Sequence, residues 1–140
     1  MTAKTFGTIH TLPENQIFEW LLGAFEDLGN RGGGSVALSG GGTPKSLYEW
    51  IASSGERLRR AARPNIVWTA SDERAVPPDD PESNFGNAAR LFLDPAGVPD
   101  GQREPWDTSL PAPEAAAEYA RRWEGRFGPG AAYDLCLLGM

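Results

Sequence analysis

LSGGGTPKSLYEW, residues Leu38–Trp50, is the stretch that decides the fold of this chain. A short apolar run of strand length, Ser35–Leu38, leads into three consecutive glycines. After the glycines, Pro44–Ser53 carries apolar side chains at helical spacing, namely Leu47, Tyr48 and Ile51. These patterns predict a strand, a glycine-rich elbow and a helix, which is the repeating unit of α/β proteins.

The elbow is suited to binding an anion. Thr43 is predicted as the N-cap of the helix and Pro44 as its first residue, where a fixed φ and a missing N–H are tolerated. Glycines before a helix N-terminus let the backbone approach an anion, which unpaired N–H groups and the helix dipole stabilise. A glycine-rich turn without a ligand is the alternative. The spacing matches neither the Walker A loop nor the dinucleotide fingerprint.

The rest of the chain alternates between helix and strand patterns. Helical spacing predicts one buried face along Pro13–Asn30, formed by Ile17, Trp20, Leu21, Ala24, Phe25 and Leu28. Two further strands are predicted at Ile66–Ala70 and Tyr133–Leu138, and two further helices at Phe85–Phe92 and Ala116–Phe127. A proline-rich loop is predicted at Gly97–Pro113. Apolar strands that alternate with helices predict a single α/β domain over residues 1–140, with a parallel sheet covered by helices on both faces.

A second candidate site follows the predicted strand Ile66–Ala70. Ligands of open α/β sheets bind beyond the carboxyl ends of the strands, and Asp72, Glu73 and Arg74 stand there. An arginine can grip a phosphate and a carboxylate can move a proton, while a salt-bridged surface turn is the alternative. The lone histidine, His10, is interpreted as a surface or packing residue, which leaves no triad or histidine-rich metal site.

Composition narrows the classes of partner. The net charge is −6 and no run of Lys and Arg follows a nucleic-acid backbone, so DNA and RNA are not expected as partners. The single cysteine, Cys136, lies in the apolar run LCLL and is predicted to be a buried structural thiol. No secretory signal or membrane span is recognised, so a cytoplasmic protein without membrane contact is expected.

Three motifs in order, LSGGGTPKSLYE, DERAVPPDDPESNFG and YDLCLLGM, resemble the 6-phosphogluconolactonases, a family grouped with glucosamine-6-phosphate isomerases and deaminases. The resemblance implies a Rossmann-like fold, no metal or organic cofactor, and hydrolysis of 6-phosphoglucono-δ-lactone in the pentose phosphate pathway. It implies that Ser83 and Asn84 brace a loop, that Asp72 and Arg74 belong to the site, and that the phosphosugar is lined by Ser39, Gly40, Gly41, Gly42 and Thr43.

The sequence departs from that family in one important respect. The family continues beyond Leu138–Met140 into a segment carrying the histidine taken as general base, so Asp72 is left as the candidate base. An open sheet edge is therefore expected, and the chain is expected to be either a fragment of a longer protein or a truncated form that needs a partner or self-association. A non-catalytic phosphosugar-binding module and an amino-sugar phosphate isomerase or deaminase remain as alternative functions.

Overall fold

The computed structural model describes residues 7–139 as an α/β unit built on a parallel sheet. Its helices are α1 (Glu14–Asn30), α2 (Gly42–Ala52), α3 (Gly55–Ala61), α4 (Asn84–Ala88) and α5 (Ala112–Phe127). A π-helical turn (Ala89–Leu93) extends α4, and a 3-10 turn (Asp100–Gln102) precedes a strand. The strands are β1 (Gly34–Leu38), β2 (Ile66–Ala70), β3 (Arg103–Glu104) and β4 (Leu135–Cys136). The predicted fold class is confirmed.

The sheet has the strand order β3-β2-β1-β4, and every neighbouring pair is parallel. The central pair, β1 and β2, runs in register from Gly34 opposite Ile66 to Leu38 opposite Ala70. The amide of Ser71 then donates to the carbonyl of Leu38 at 2.7 Å. Because the two strands end together, the segments that follow them leave the sheet side by side.

One face of the sheet forms the main hydrophobic core. Alternate residues of β1 and β2, including the fully buried Val36 and Trp68, point toward α1, α2 and the helical segment after β2. The indole of Trp68 meets the rings of Phe25 and Phe92 edge-on at centroid distances of 5.3 and 5.1 Å. Leu47, Tyr48 and Ile51 are buried on the inner side of α2, as their spacing predicts.

The opposite face is covered by α5. The hydroxyl of Thr69 donates to the carbonyl of Glu104 at 2.6 Å and shares a 2.8 Å hydrogen bond with the hydroxyl of Tyr119. Tyr119 also stacks on Trp106 at a centroid distance of 3.8 Å. Helices therefore lie on both faces of the sheet, as predicted.

Three local predictions need correction. The helical spacing places Trp20 on the buried face of α1, but its side chain is 48% exposed. The buried stripe of α1 is narrower than predicted and includes Leu22, Phe25 and Leu28. The predicted Gly97–Pro113 loop contains β3, a strand of two residues with no apolar pattern. The buried thiol is also wrong: β4 is the outermost strand, so Cys136 is exposed.

None of the helices between residues 7 and 139 is long and apolar enough to cross a membrane.

Candidate functional site

The glycine elbow follows β1 and opens directly into α2. Gly41 has a φ of 99°, in the left-handed region that favours glycine, and Gly42 is already the first helical residue. The predicted N-cap is therefore wrong: Thr43 lies inside the first turn and makes no side-chain cap. Pro44 follows it in that same turn, where a missing N–H still costs no helical hydrogen bond.

Backbone donors at the start of α2 point outward from the helix. The first helical hydrogen bond of α2 runs from the amide of Lys45 to the carbonyl of Gly41, at 3.2 Å. The N–H groups of Gly42 and Thr43 come before it and have no carbonyl partner within the helix. Both residues are exposed and line a cavity. The helix dipole adds partial positive charge at the same place, so an anion is favoured there.

Tyr48 holds the entrance of the elbow in place from within α2. Its hydroxyl donates to the carbonyl of Ser39 at 2.7 Å and accepts from the amide of Ser39 at 3.2 Å. Burial raises the pKa of Tyr48 well above its usual value, despite a smaller opposing effect of its bond to Ser39. The hydroxyl therefore stays protonated and remains able to donate.

The elbow forms the floor of a cavity of about 470 Å³, which we call the glycine cavity. Its walls are apolar side chains of α1, α2 and the β4 segment, and its floor is the run Ser39–Thr43. The size is within the range of small-molecule sites. Among residues 7–139, no lysine or arginine lines this cavity, so its lining offers an anion backbone N–H groups and no cationic side chain.

Glu73 anchors the turn after β2. Its carboxylate accepts hydrogen bonds from the amides of Arg74, Asn84 and Phe85 at 2.8, 2.7 and 2.9 Å. It also accepts from the hydroxyl of Ser83 at 3.2 Å. Ser83 in turn caps α4 by accepting from the amide of Gly86 at 3.0 Å. Glu73 and Ser83 therefore brace the loop, in agreement with the role expected for Ser83.

Arg74 lies at a second cavity, of about 320 Å³, which we call the arginine cavity. Asp72 and Glu73 share its wall with Trp106, Thr108 and residues at the start of α5. The Arg74 side chain is exposed and pairs with no carboxylate within residues 7–139. The structure thus brings the elbow and Asp72–Arg74 to the same end of the sheet but gives them separate cavities.

Asn84 connects the two loops. Its Nδ2 donates to the carbonyl of Asp72 at 3.1 Å and to the carboxylate of Asp72 at 3.4 Å. On the other side, a Cβ built on Gly40 would lie 1.9 Å from Asn84 Oδ1, so glycine is required for the carboxamide to pack there. Asp72 is therefore linked to the elbow through one side chain.

The remaining polar candidates lie away from both cavities. His10 is exposed beside Trp20, with ring centroids 6.1 Å apart, as expected for a surface residue. Lys45 is half-buried and lines neither cavity. No cluster of three or more metal-ligating side chains occurs in the part of the chain that the structure describes.

Sequence reasoning missed two residues that shape the site. The helical spacing of Tyr48 predicts a core position, but it does not predict which hydrogen bonds its hydroxyl makes. Trp106 lies in the loop predicted to be irregular, yet its indole N–H donates to the carbonyl of Ala70 at 3.0 Å, at the end of β2. A tryptophan in a proline-rich loop was the available signal.

Comparison with known proteins places these features in one family. Residues 14–140 match the family described as glucosamine-6-phosphate isomerases/6-phosphogluconolactonase. The 6-phosphogluconolactonase of Synechocystis is 37% identical over 118 residues, which are 81% of this chain and 47% of that protein. That of Chlamydia pneumoniae is 32% identical over 122 residues, 87% of this chain and 45% of that protein.

A solved structure shows the same arrangement. The crystal structure of 6-phosphogluconolactonase from Thermotoga maritima matches with a TM-score of 0.74 and 31% identity, over 91% of this chain and 55% of that one. The chain thus spans about half the length of the curated relatives it matches.

Proposed function

The chain belongs to the family of glucosamine-6-phosphate isomerases and 6-phosphogluconolactonases, and we propose that it supplies the phosphosugar-binding part of a lactonase site. The proposed reaction is hydrolysis of 6-phosphoglucono-δ-lactone to 6-phosphogluconate, a step of the pentose phosphate pathway. The observation that carries the proposal is the glycine elbow, whose free N–H groups face a cavity of about 470 Å³ beside a helix N-terminus. The phosphate is assigned to Ser39–Thr43.

The proposed chemistry is acyl transfer to water. Water adds to the lactone carbonyl, the ring C–O bond breaks, and the ring oxygen leaves as a hydroxyl after taking a proton. Asp72 is the candidate base within this chain, since its carboxylate lies at the end of β2 beside Asn84. Arg74 is assigned to the developing negative charge or to the substrate, because its guanidinium has no carboxylate partner among the described residues.

Thermal protection by 6-phosphogluconate tests the binding half of the proposal. Ligand at a hundredfold excess over its Kd should stabilise the protein by about 2.7 kcal/mol and raise its Tm by several degrees. Gly42→Ala should weaken binding by about tenfold or more, roughly 1.4 kcal/mol, since it adds a methyl group to a residue that lines the cavity. A Cβ at Gly42 meets no atom within 4 Å, so the unliganded protein should keep its stability.

Gly125→Ala is the matched control. Gly125 also has open space around its Cβ, but it lies in α5 and lines neither cavity. The control should bind 6-phosphogluconate like the wild type. No protection of the wild type, or equal binding by both variants, would contradict the assignment of phosphate to the elbow.

A phosphosugar-binding module without turnover is the second candidate. It would bind the phosphosugar at the elbow and leave the lactone intact. A lactone-hydrolysis assay separates the two functions. Turnover that is lost in Asp72→Asn supports the hydrolase, while ligand binding without turnover supports the module.

Two further parts of the proposal concern the cellular context. A cytoplasmic location fits the unpaired thiol of Cys136, since reducing compartments keep cysteines free. The outer edge of β4 is proposed to be covered by a second copy of the chain or by another polypeptide. Leu138, which is 79% exposed, lies at this edge, and an unpaired strand edge is a template for pairing.

A further inference from the structure

The side chain of Asn84 occupies the gap between the elbow and the Asp72 turn. Asn84 is only 7% exposed, and its carboxamide packs against Gly40 on one side while donating to Asp72 on the other. The same residue thus touches the proposed phosphate site and the proposed base. Its side chain is short, with two χ angles, so its position depends mainly on the backbone that carries it.

That backbone is fixed by Glu73. The carboxylate of Glu73 accepts the amide hydrogens of Asn84 and Phe85, which open α4. A carboxylate is stabilised at a helix start both by these hydrogen bonds and by the helix dipole. Below α4, the carbonyl of Pro78 lies 1.9 Å from a Cβ built on Gly86, so a side chain there would displace the helix start. The backbone that carries Asn84 is therefore fixed by the hydrogen bonds to Glu73 and by the close packing of Gly86 against Pro78.

An amide at this position also has an electrostatic consequence. The Nδ2 group of Asn84 is the donor and the Asp72 carboxylate is the acceptor of their 3.4 Å contact. An ionised carboxylate at position 84 would have no hydrogen to donate and would place a second negative charge beside Asp72. Shape alone would accept either group, since Asn and Asp have nearly equal size.

We propose that Asn84 is a positioning residue that sets the separation of the elbow from Asp72 and keeps the Asp72 carboxylate available as an acceptor. The inference rests on the proposed function, and it adds a residue that acts through Asp72 without touching the reacting atoms. It is specific about chemistry: the site needs an amide, not merely a side chain of this volume.

Asn84→Asp tests the requirement for an amide. Affinity for 6-phosphogluconate is measured by titration calorimetry at about pH 4.5 and at about pH 7, because the last proton of a carboxyl pair leaves somewhat above the ordinary aspartate pKa of about 3.9. In this variant the affinity should fall about tenfold or more across that range, in excess of the change in the control. The excess is the diagnostic quantity, because the ligand phosphate itself titrates over the same range.

Asn87→Asp is the control. Asn87 lies in the same helix and is 9% exposed, but its carboxamide bonds to the carbonyl of Pro81 and to Arg90. Its carboxamide makes no hydrogen bond to the elbow or to Asp72. The pH dependence of its binding should therefore follow the wild type, even if the variant loses stability.

A charge swap provides the rescue. The double variant Asn84→Asp with Asp72→Asn restores one amide and one carboxylate at the same place, so the excess pH dependence should disappear. A purely structural role for Asn84 would not predict this recovery. Equal pH dependence of Asn84→Asp and Asn87→Asp, or an excess that persists in the swap, overturns the inference.

A ligand-free measurement separates this inference from the proposed function. If the wild type does not bind 6-phosphogluconate, the proposed function fails, yet carboxyl NMR of the unliganded Asn84→Asp variant still reports on the pair. The new carboxyl and that of Asp72 should titrate as a coupled pair, with midpoints separated by more than about one pH unit. Independent titration of the two groups would overturn the inference in that case as well.

Discussion

Cys136 shows how the position of a strand decides the exposure of a residue. Its apolar neighbours predict a buried thiol, but β4 is the outermost strand and leaves the residue exposed. Partial burial of the sulfur atom and, to a lesser degree, the negative charge of Asp72 raise the pKa of the Cys136 thiol. Cys136 is therefore exposed, yet its thiol is less readily ionised than that of an ordinary exposed cysteine.

Alkylation of Cys136 by iodoacetamide should be slower than that of a free cysteine at neutral pH. The thiolate is the nucleophile, and a raised pKa lowers its fraction at any given pH below the pKa. Asp72→Asn removes the nearby negative charge and should shift the rate profile toward lower pH. Glu82→Gln, at an exposed carboxylate in the same loop, is the control and should leave the profile unchanged. A profile that Asp72→Asn fails to move would contradict the electrostatic explanation.

At the scale of elements, ion pairs join α5 to β3. Glu104 of β3 is 7% exposed and bonds both to Arg122 and, at 2.7 Å, to Arg126. Arg122 also bonds to Glu118 of α5 at 3.0 Å. The carboxylate is thus compensated twice, which explains how a two-residue strand with a buried charge is stable in the sheet.

Replacing Glu104 by glutamine should destabilise the protein by about 1–3 kcal/mol, because two guanidinium groups lose a nearly buried carboxylate. The arginine side chains are about one-third exposed, so solvent moderates the loss. Urea unfolding measures the difference. Glu118→Gln removes a more exposed partner of Arg122 and should cost less than about 1 kcal/mol. Equal losses in the two variants would contradict the importance of burial.

At the scale of the whole molecule, the described part of the sheet is bounded by two short strands. Glu104 of β3 binds arginines of α5, whereas β4 pairs only with β1 within the described residues. The exposed Leu138 follows β4 and also forms part of the glycine cavity wall. Any polypeptide that covers this edge would therefore also form a wall of the proposed phosphosugar site.

Self-association through the β4 edge should appear as an average mass that rises with concentration in sedimentation equilibrium. Leu138→Asp should lower the association, because a charged side chain on an edge strand opposes strand pairing. Ile9→Asp, at a residue that is 92% exposed outside the sheet, is the control and should associate like the wild type. A protein that stays monomeric at all concentrations would contradict self-association through this edge.

The sequence by itself determined the elements and the motifs. Helical spacing predicts α1, α2 and α5, and the apolar runs predict β1 and β2, because local patterns report which side of an element meets the core. The elbow at Gly40–Gly42 and the turn at Asp72–Arg74 were also recognisable, since such loops follow strands in chain order. These features depend on neighbours close in sequence.

Only the tertiary structure decided how these features meet. It separated Arg74 from the glycine cavity, joined Asp72 to Gly40 through Asn84, and exposed Cys136 at the edge of the sheet. It likewise brought Glu104 of β3 to its arginine partners on α5. Each outcome depends on residues distant in sequence, whose approach is set by strand order and packing and has no local pattern.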